Sequence, residues 1–256
     1  MAMSGARRDD ILAIDIGATS IKIGTVTSDA DLLGALRTVP TPYPCTPERL
    51  IGVVTSLIAE SLCQRIGVGF PGELRDNVVV EPGNLSRIGG ITTSIDASIH
   101  EAWINLDLQH ALRERSHREV RVVNDATLAA LGYCDGRGIE LVFTLGTGFG
   151  IALLVNGVPV KIRDVGAEVF VDGLTYDEAL GETARSQDPI HWIALLHQAI
   201  VDFVGEFGPG TIHLGGGNAR RVDTSEFTDI DCRIVINDND ATLRGVARLF
   251  ASSRRS

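Results

Sequence analysis

The stretch ILAIDIGATSIKIGTVTSDADLLGALR, Ile11 to Arg37, decides the fold. It reads as a strand ending in Asp15, a glycine turn, a second strand, a polar turn over Ser28 to Ala30, and a third strand. From Leu141 to Ile162 the pattern returns in LVFTLGTGFGIALLVNGVPVKI: a strand, a glycine turn at Gly146 to Gly150, a second strand, the Asn156-Gly157 hairpin turn, and a third strand. Each meander is followed, at some distance, by a helix, a further strand and the pentapeptide NDATL, at Asn124 to Leu128 and again at Asn239 to Leu243. That order predicts two similar α/β halves, each with its own meander, facing one another.

In both copies of NDATL a β-branched run leads into Asn or Asp and then an Ala/Leu-rich stretch, the signature of strand, N-cap and helix. An aspartate at a strand end is also a common way to place a general base. The pentapeptide alone does not choose between cap and base.

The two glycine turns have a joint use. Each presents backbone N–H groups without Cβ obstruction, so a pair on facing halves suits the phosphates of a nucleotide. Gly146-Thr147-Gly148-Phe149-Gly150 is not a dinucleotide fingerprint, since that motif opens a helix and a β-rich run follows here.

Composition narrows the function classes. A chain of 256 residues, 44% hydrophobic and 22% charged, fits a soluble globular protein of one large or two modest domains. No apolar run approaches the ~20 residues needed to cross a bilayer, and MAMSGARRDD lacks a signal segment, so a cytoplasmic location is expected. A formal charge of -10 argues against nucleic-acid or anionic-membrane partners. Cys45, Cys63, Cys134 and Cys232 form no CxxC pair and no zinc spacing, and read as reduced thiols.

Six segments in register carry a resemblance: DIGATSIK (Asp15 to Lys22), GVGFPGEL (Gly67 to Leu74), EPGNL (Glu81 to Leu85), VVNDATLAALG (Val122 to Gly132), LGTGFGIALLVNG (Leu145 to Gly157) and IHLGGGNA (Ile212 to Ala219). The chain resembles the ROK family of sugar kinases, and within it the polyphosphate and ATP glucokinase branch. The resemblance implies an α/β fold of two duplicated actin-like (ribonuclease H-like) domains around a central cleft. Residues 9–124 with a terminal helix 240–256 would form one domain and 125–239 the other.

It also implies an activity: Mg²⁺-dependent transfer of a phosphoryl group from ATP or polyphosphate to a hexose-type hydroxyl. Asp125 takes the place of the family's catalytic base, whereas Asp240 falls in the terminal helix, where a cap is expected. Asn84 and Asn124 match sugar-contacting positions, though both residue types also form turns. Asp15 would hold Mg²⁺ through water, with Gly17, Thr19 and Lys22 around the first phosphate turn; Lys22 reads equally as a solvated lysine. Gly146, Thr147 and Gly148 match the second phosphate turn. Gly215, Gly216 and Gly217 match the loop under the adenosine, where three glycines allow a flat base close to the backbone.

One segment departs from the family. Where most members carry Glu-x-Gly-His against the sugar, this chain has Asp164-Val165-Gly166-Ala167. Losing a sugar partner costs a site when its counterpart stays buried and unpaired, so the identity of the sugar is left open. Glu168 and Glu178 are the candidate substitute carboxylates. The family's zinc-binding cysteine cluster is absent as well. The alternatives to a kinase of hexoses are a non-catalytic sugar or nucleotide binder with a degraded sugar site, or another kinase of the actin-like superfamily. The family's repressors place a DNA-binding domain ahead of the first strand, where this sequence has few residues. A sugar and a phosphoryl donor are therefore the expected partners, with a homodimer left open.

Overall fold

The computed structural model describes residues 7–163 and 165–251. The chain divides into two compact units, one of residues up to Leu128 together with those from Leu243 onward, the other Ala129–Thr242.

In the first unit the opening meander forms β1 (Ile11–Ile16), β2 (Ser20–Val26) and β3 (Leu32–Pro40). Helix α1 (Pro47–Ala59) follows, capped by the Thr46 side chain with proline at its first position, where a missing N–H costs nothing. Then come β4 (Arg65–Phe70), the hairpin β5 (Glu73–Arg75) and β6 (Val78–Glu81), α2 (Ala97–Trp103), α3 (Leu108–Ser116) and β7 (Glu119–Asn124). The five long strands make one mixed sheet in the order β3-β2-β1-β4-β7, with β1, β4 and β7 mutually parallel. Alternation along β1 sets the layers: Leu12, Ile14 and Ile16 enter a core with α1 to α3, while Ile11 and Ala13 enter another with Leu243, Val246, Ala247 and Phe250. Gly67 on β4 makes that second face possible, because a Cβ there would stand 2.5 Å from a methyl of Val246.

Helix α4 (Asp125–Tyr133) leads into the second unit, which comprises β8 (Ile139–Leu145), β9 (Phe149–Val155), β10 (Val158–Val160), the ribbon β11 (Val169–Val171) and β12 (Leu174–Thr175), α5 (Tyr176–Leu180), α6 (Glu182–Gln187), α7 (Pro189–Phe207), β13 (Thr211–Gly215) and β14 (Arg233–Ile236). Its sheet runs β10-β9-β8-β13-β14, again a meander followed by two parallel strands. Positive φ at Asn156 (51°) and Gly157 (77°) gives the two left-handed residues that a tight β9–β10 hairpin needs. Phe143, Phe149, Tyr176 and Phe203 stack edge-on and face-on in the core between sheet and α7. The last helix, α8 (Asn239–Ala251), returns to the first unit from Leu243. Among the described residues no helix is long and apolar enough to cross a membrane, and none of the four cysteines is in a disulfide.

Candidate functional site

The carboxyl ends of β1, β4 and β7 lie side by side, because the three strands are parallel and in register: Asp15 pairs with Gly69, and Phe70 with Asn124. Open α/β sheets bind ligands at that edge. It carries Asp15, then Gly69 and Phe70, then Asn124 and Asp125. Gly69 is the gap in this row, since a Cβ there would lie 3.2 Å from Asp15 Oδ1 and 3.5 Å from the Asp125 Cα.

Asp15 is largely enclosed, with its side chain 14% exposed. Burial pushes its carboxyl above the usual range, and Lys22, the cross-strand partner on β2 at 3.7 Å, pulls the other way. Lys22 is thus the counter-ion of Asp15. The turn between β1 and β2 is held through its carbonyls: Thr41 Oγ1 donates to Gly17 O (2.6 Å), Tyr43 Oη to Ala18 O (2.7 Å), and the Thr41 N–H to Thr19 O (3.1 Å). The Thr19 side chain is exposed.

Asn84 sits in a 3₁₀ turn, Gly83–Ser86, where its Oδ1 accepts from Arg87 Nε at 2.8 Å, leaving its NH₂ end as the donor. Asn124 is committed at both ends. Its Oδ1 accepts the N–H groups of Ala126 (2.9 Å) and Thr127 (3.2 Å), and its Nδ2 donates to Gly72 O (3.1 Å). It caps α4. Asp125 is the first residue of that helix, half-buried, with Oδ1 accepting the Ala126 N–H at 2.7 Å. The second NDATL also starts a helix, but Asp240 is exposed. Both copies are helix starts; the first follows β7 of the sheet that carries Asp15, and the second follows β14 of the other sheet.

In the second unit Gly146, Thr147 and Gly148 form the turn between β8 and β9, closed by a Gly146 N–H to Gly148 O bond of 3.1 Å. The Asn218 N–H donates to Leu145 O (3.0 Å) and its Nδ2 to Gly146 O (3.2 Å), tying the Gly215 to Gly217 loop to this turn. The three glycines of that loop differ in what they do. A Cβ on Gly215 would lie 2.3 Å from the Tyr133 ring, and one on Gly216 (φ +88°) would lie 2.3 Å from Leu145 O. Packing within the unit requires these two, while Gly217 alone opens on free space.

The candidate substitute carboxylates have structural partners. Glu178 completes a capping box with Thr175, accepting from its N–H (2.8 Å) and Oγ1 (3.0 Å). Glu168 accepts from Arg163 Nε at 3.1 Å, and Arg163 also pairs with Glu206. Asp164 lies outside the described residues.

The structure also gathers residues that the sequence keeps far apart. Buried Cys134, Glu140 and His213 come within 4.8 Å of one another through their side-chain heteroatoms. Glu140 accepts the N–H groups of Asp135 (2.8 Å), Gly136 (2.7 Å) and Arg137 (3.1 Å) and meets His213 Nε2 at 3.2 Å. Asn237 Nδ2 donates to His213 Nδ1, so Nε2 carries the N–H that donates a hydrogen bond to the carboxylate. Those four donors occupy the carboxylate's lone pairs, so the group anchors the loop after α4 and is a poor cation site.

Comparison with known proteins follows the same lines. The ROK family model matches residues 11–163. Polyphosphate glucokinase of Mycobacterium leprae is 26% identical over 222 residues, 82% of this chain and 64% of that protein. The Mycobacterium tuberculosis polyphosphate glucokinase is 25% identical over 221 residues, covering 82% of this chain and 78% of its own. This chain thus spans about two thirds to three quarters of the length of these relatives. Among solved structures, an inorganic polyphosphate/ATP-glucomannokinase from Arthrobacter sp. strain KM superposes with a TM-score of 0.78 at 30% identity, covering 95% of this chain and 99% of that one. With a family match over more than half its length and this likeness over nearly all of it, the chain belongs to the ROK family.

Proposed function

We propose that the protein is a sugar kinase, passing a phosphoryl group from ATP or polyphosphate to a hexose-type hydroxyl. The observation that carries the reading is Asp125 at the carboxyl end of β7, at the same sheet edge as Asp15. The names of the relatives agree, being polyphosphate glucokinases and a polyphosphate/ATP-glucomannokinase. The repeated sheet order supports the further reading of the two units as a duplicated actin-like pair.

In this account Asp125 accepts the proton of the sugar hydroxyl as that oxygen attacks the terminal phosphorus, and the bond to the donor's bridging oxygen breaks in line. Asn124 holds the helix start that carries the base, a supporting role in keeping with its three bonds. The NH₂ of Asn84 donates to a sugar hydroxyl. In the first unit the Gly17 N–H closes onto Ser20 O (3.0 Å), leaving the N–H groups of Ala18 and Thr19 to face a phosphate; in the second unit the turn at Thr147 is the candidate phosphate turn, and Gly217 receives the nucleoside when ATP is the donor. Asp15 would offer Mg²⁺ an oxygen ligand, its charged form favoured by Lys22 against the opposing effect of burial, and the ion would supply neutralisation of the donor phosphates. Glu168 and Glu178, held by Arg163 and Thr175, are left to brace β11 and α5.

Initial rates with hexoses, amino sugars and their N-acetyl forms, each with Mg-ATP and with polyphosphate, test the proposal. Turnover with one donor–sugar pair supports it and names both substrates. Ligand-induced thermal stabilisation without turnover favours a non-catalytic binder, a reading to which the loss of Glu-x-Gly-His lends weight.

A further inference from the structure

We propose that Asp177 is a positioning residue of the phosphate turn Gly146-Thr147-Gly148, holding that backbone in the shape that receives the donor. The inference rests on the reading of this turn as a donor site. Asp177 is the second residue of α5, where the positive end of the helix dipole by itself favours a carboxylate. Here Oδ1 accepts the Phe149 N–H at 2.7 Å, from a residue 28 positions away, while the Asp177 N–H donates to Gly166 O at 2.9 Å.

Three glycines from three separate segments make room for this contact. A Cβ on Gly148 would stand 2.3 Å from Asp177 Oδ1 and 2.7 Å from Cγ, and one on Gly166 would stand 3.1 Å from Oδ1. On Gly181, at the end of α5, it would lie 2.4 Å from Asp177 O and 2.5 Å from Thr147 O. Gly148 is therefore glycine because of the carboxylate behind it, whatever stands in front.

The result is a turn fastened from both sides. Asn218 holds the carbonyls of Leu145 and Gly146, the Gly146 N–H closes onto Gly148 O, and Asp177 takes the Phe149 N–H. Among the described residues, the N–H groups of Thr147 and Gly148 donate to no protein acceptor. Two adjacent free N–H groups on a braced turn suit a phosphate oxygen. A carboxylate beside bound phosphates is electrostatically unfavourable, so its use points to its strength as an acceptor rather than to its charge.

The test is steady-state kinetics of wild type, Asp177→Ala, Asp177→Asn, Gly148→Ala and the Gly148→Ala/Asp177→Ala double variant, with the sugar and donor that the wild type uses. Asp177→Ala is expected to raise the donor KM about tenfold or more and to leave the sugar KM within about twofold, since a loosened turn loses pre-organisation for phosphate only. Asp177→Asn, which keeps an acceptor oxygen, should restore most of the donor KM. Gly148→Ala should be damaging alone yet add little to Asp177→Ala, because the atom it strikes is then gone. If Asp177→Ala does not fold, Asp177→Glu, which moves the carboxylate by one methylene, should show the same donor-specific rise. An unchanged donor KM, a rise in sugar KM instead, or fully multiplicative effects of the two substitutions would overturn the role of Asp177. Absence of turnover in the wild type with every pair would instead overturn the donor reading on which it stands.

Discussion

Substituting Gly69→Ala isolates the geometry that joins Asp15 to Asp125. Gly69 is on β4, between the two strands that carry the carboxylates, and its φ is not in the left-handed region, so alanine adds no backbone strain. The added methyl would meet Leu128 Cδ2 at 3.0 Å, Asp15 Oδ1 at 3.2 Å and the Asp125 Cα at 3.5 Å. The first two are a few tenths of an ångström too close. Overpacking of this kind costs about 1–3 kcal/mol, and replacing a strand glycine returns roughly 0.5–1 kcal/mol. The net loss is on the order of 1 kcal/mol, or a Tm lowered by roughly 2–4 °C for a chain of this size. Activity should suffer more. With a 1 Å misplacement costing about 100-fold, a shift of a few tenths of an ångström lowers kcat/KM by about three- to tenfold. Initial rates across a Mg²⁺ series, beside thermal melts, read both effects. A variant with the small Tm change and kcat/KM within twofold of wild type would refute the claim that both carboxylates are set against this strand.

Lys22→Met removes the group that opposes burial at Asp15, so the Asp15 carboxyl should rise further above its ordinary value. Because the native state then holds its proton to higher pH than the unfolded chain, stability falls as pH rises through that interval. The variant should melt below wild type at pH 7 and converge with it towards pH ~4, and its Mg²⁺ requirement should increase most on the acidic side. Gly216→Ala should cost about 3 kcal/mol or more, seen as lost soluble yield or a Tm down by roughly 6–12 °C, since its Cβ would strike the Leu145 carbonyl at positive φ. Asp240→Asn should leave kcat and Tm nearly unchanged, because Asp240 is exposed at the start of α8; a large loss of activity would undo the distinction between the two copies of NDATL.

The meanders were legible because alternation and glycine turns are local signals, and the repeat then gave the architecture of both sheets. Asp15 and Asp125 were legible as strand ends. What escaped was set by partners distant in sequence. Gly215 and Gly216 read as room for a base, and the Tyr133 ring and the Leu145 carbonyl on their Cβ side give both a packing reason that the sequence does not show. Gly148 read as a phosphate contact, while Asp177 behind it had no local signal at all. Glu178 could have been placed, since Thr175-x-x-Glu178 is a capping box in plain sequence. So could the Asp15–Lys22 pair, which follows from hairpin register.

The most direct test of the central claim is the turnover of Asp125→Asn beside wild type, with the donor–sugar pair the wild type uses. Asparagine keeps the size of the side chain and an oxygen for the Ala126 N–H, so folding and ligand-induced stabilisation should persist. Loss of the base should lower kcat by about 10²- to 10⁴-fold. A variant that binds both ligands and turns over at a rate close to wild type would contradict the assignment of Asp125 as the catalytic base.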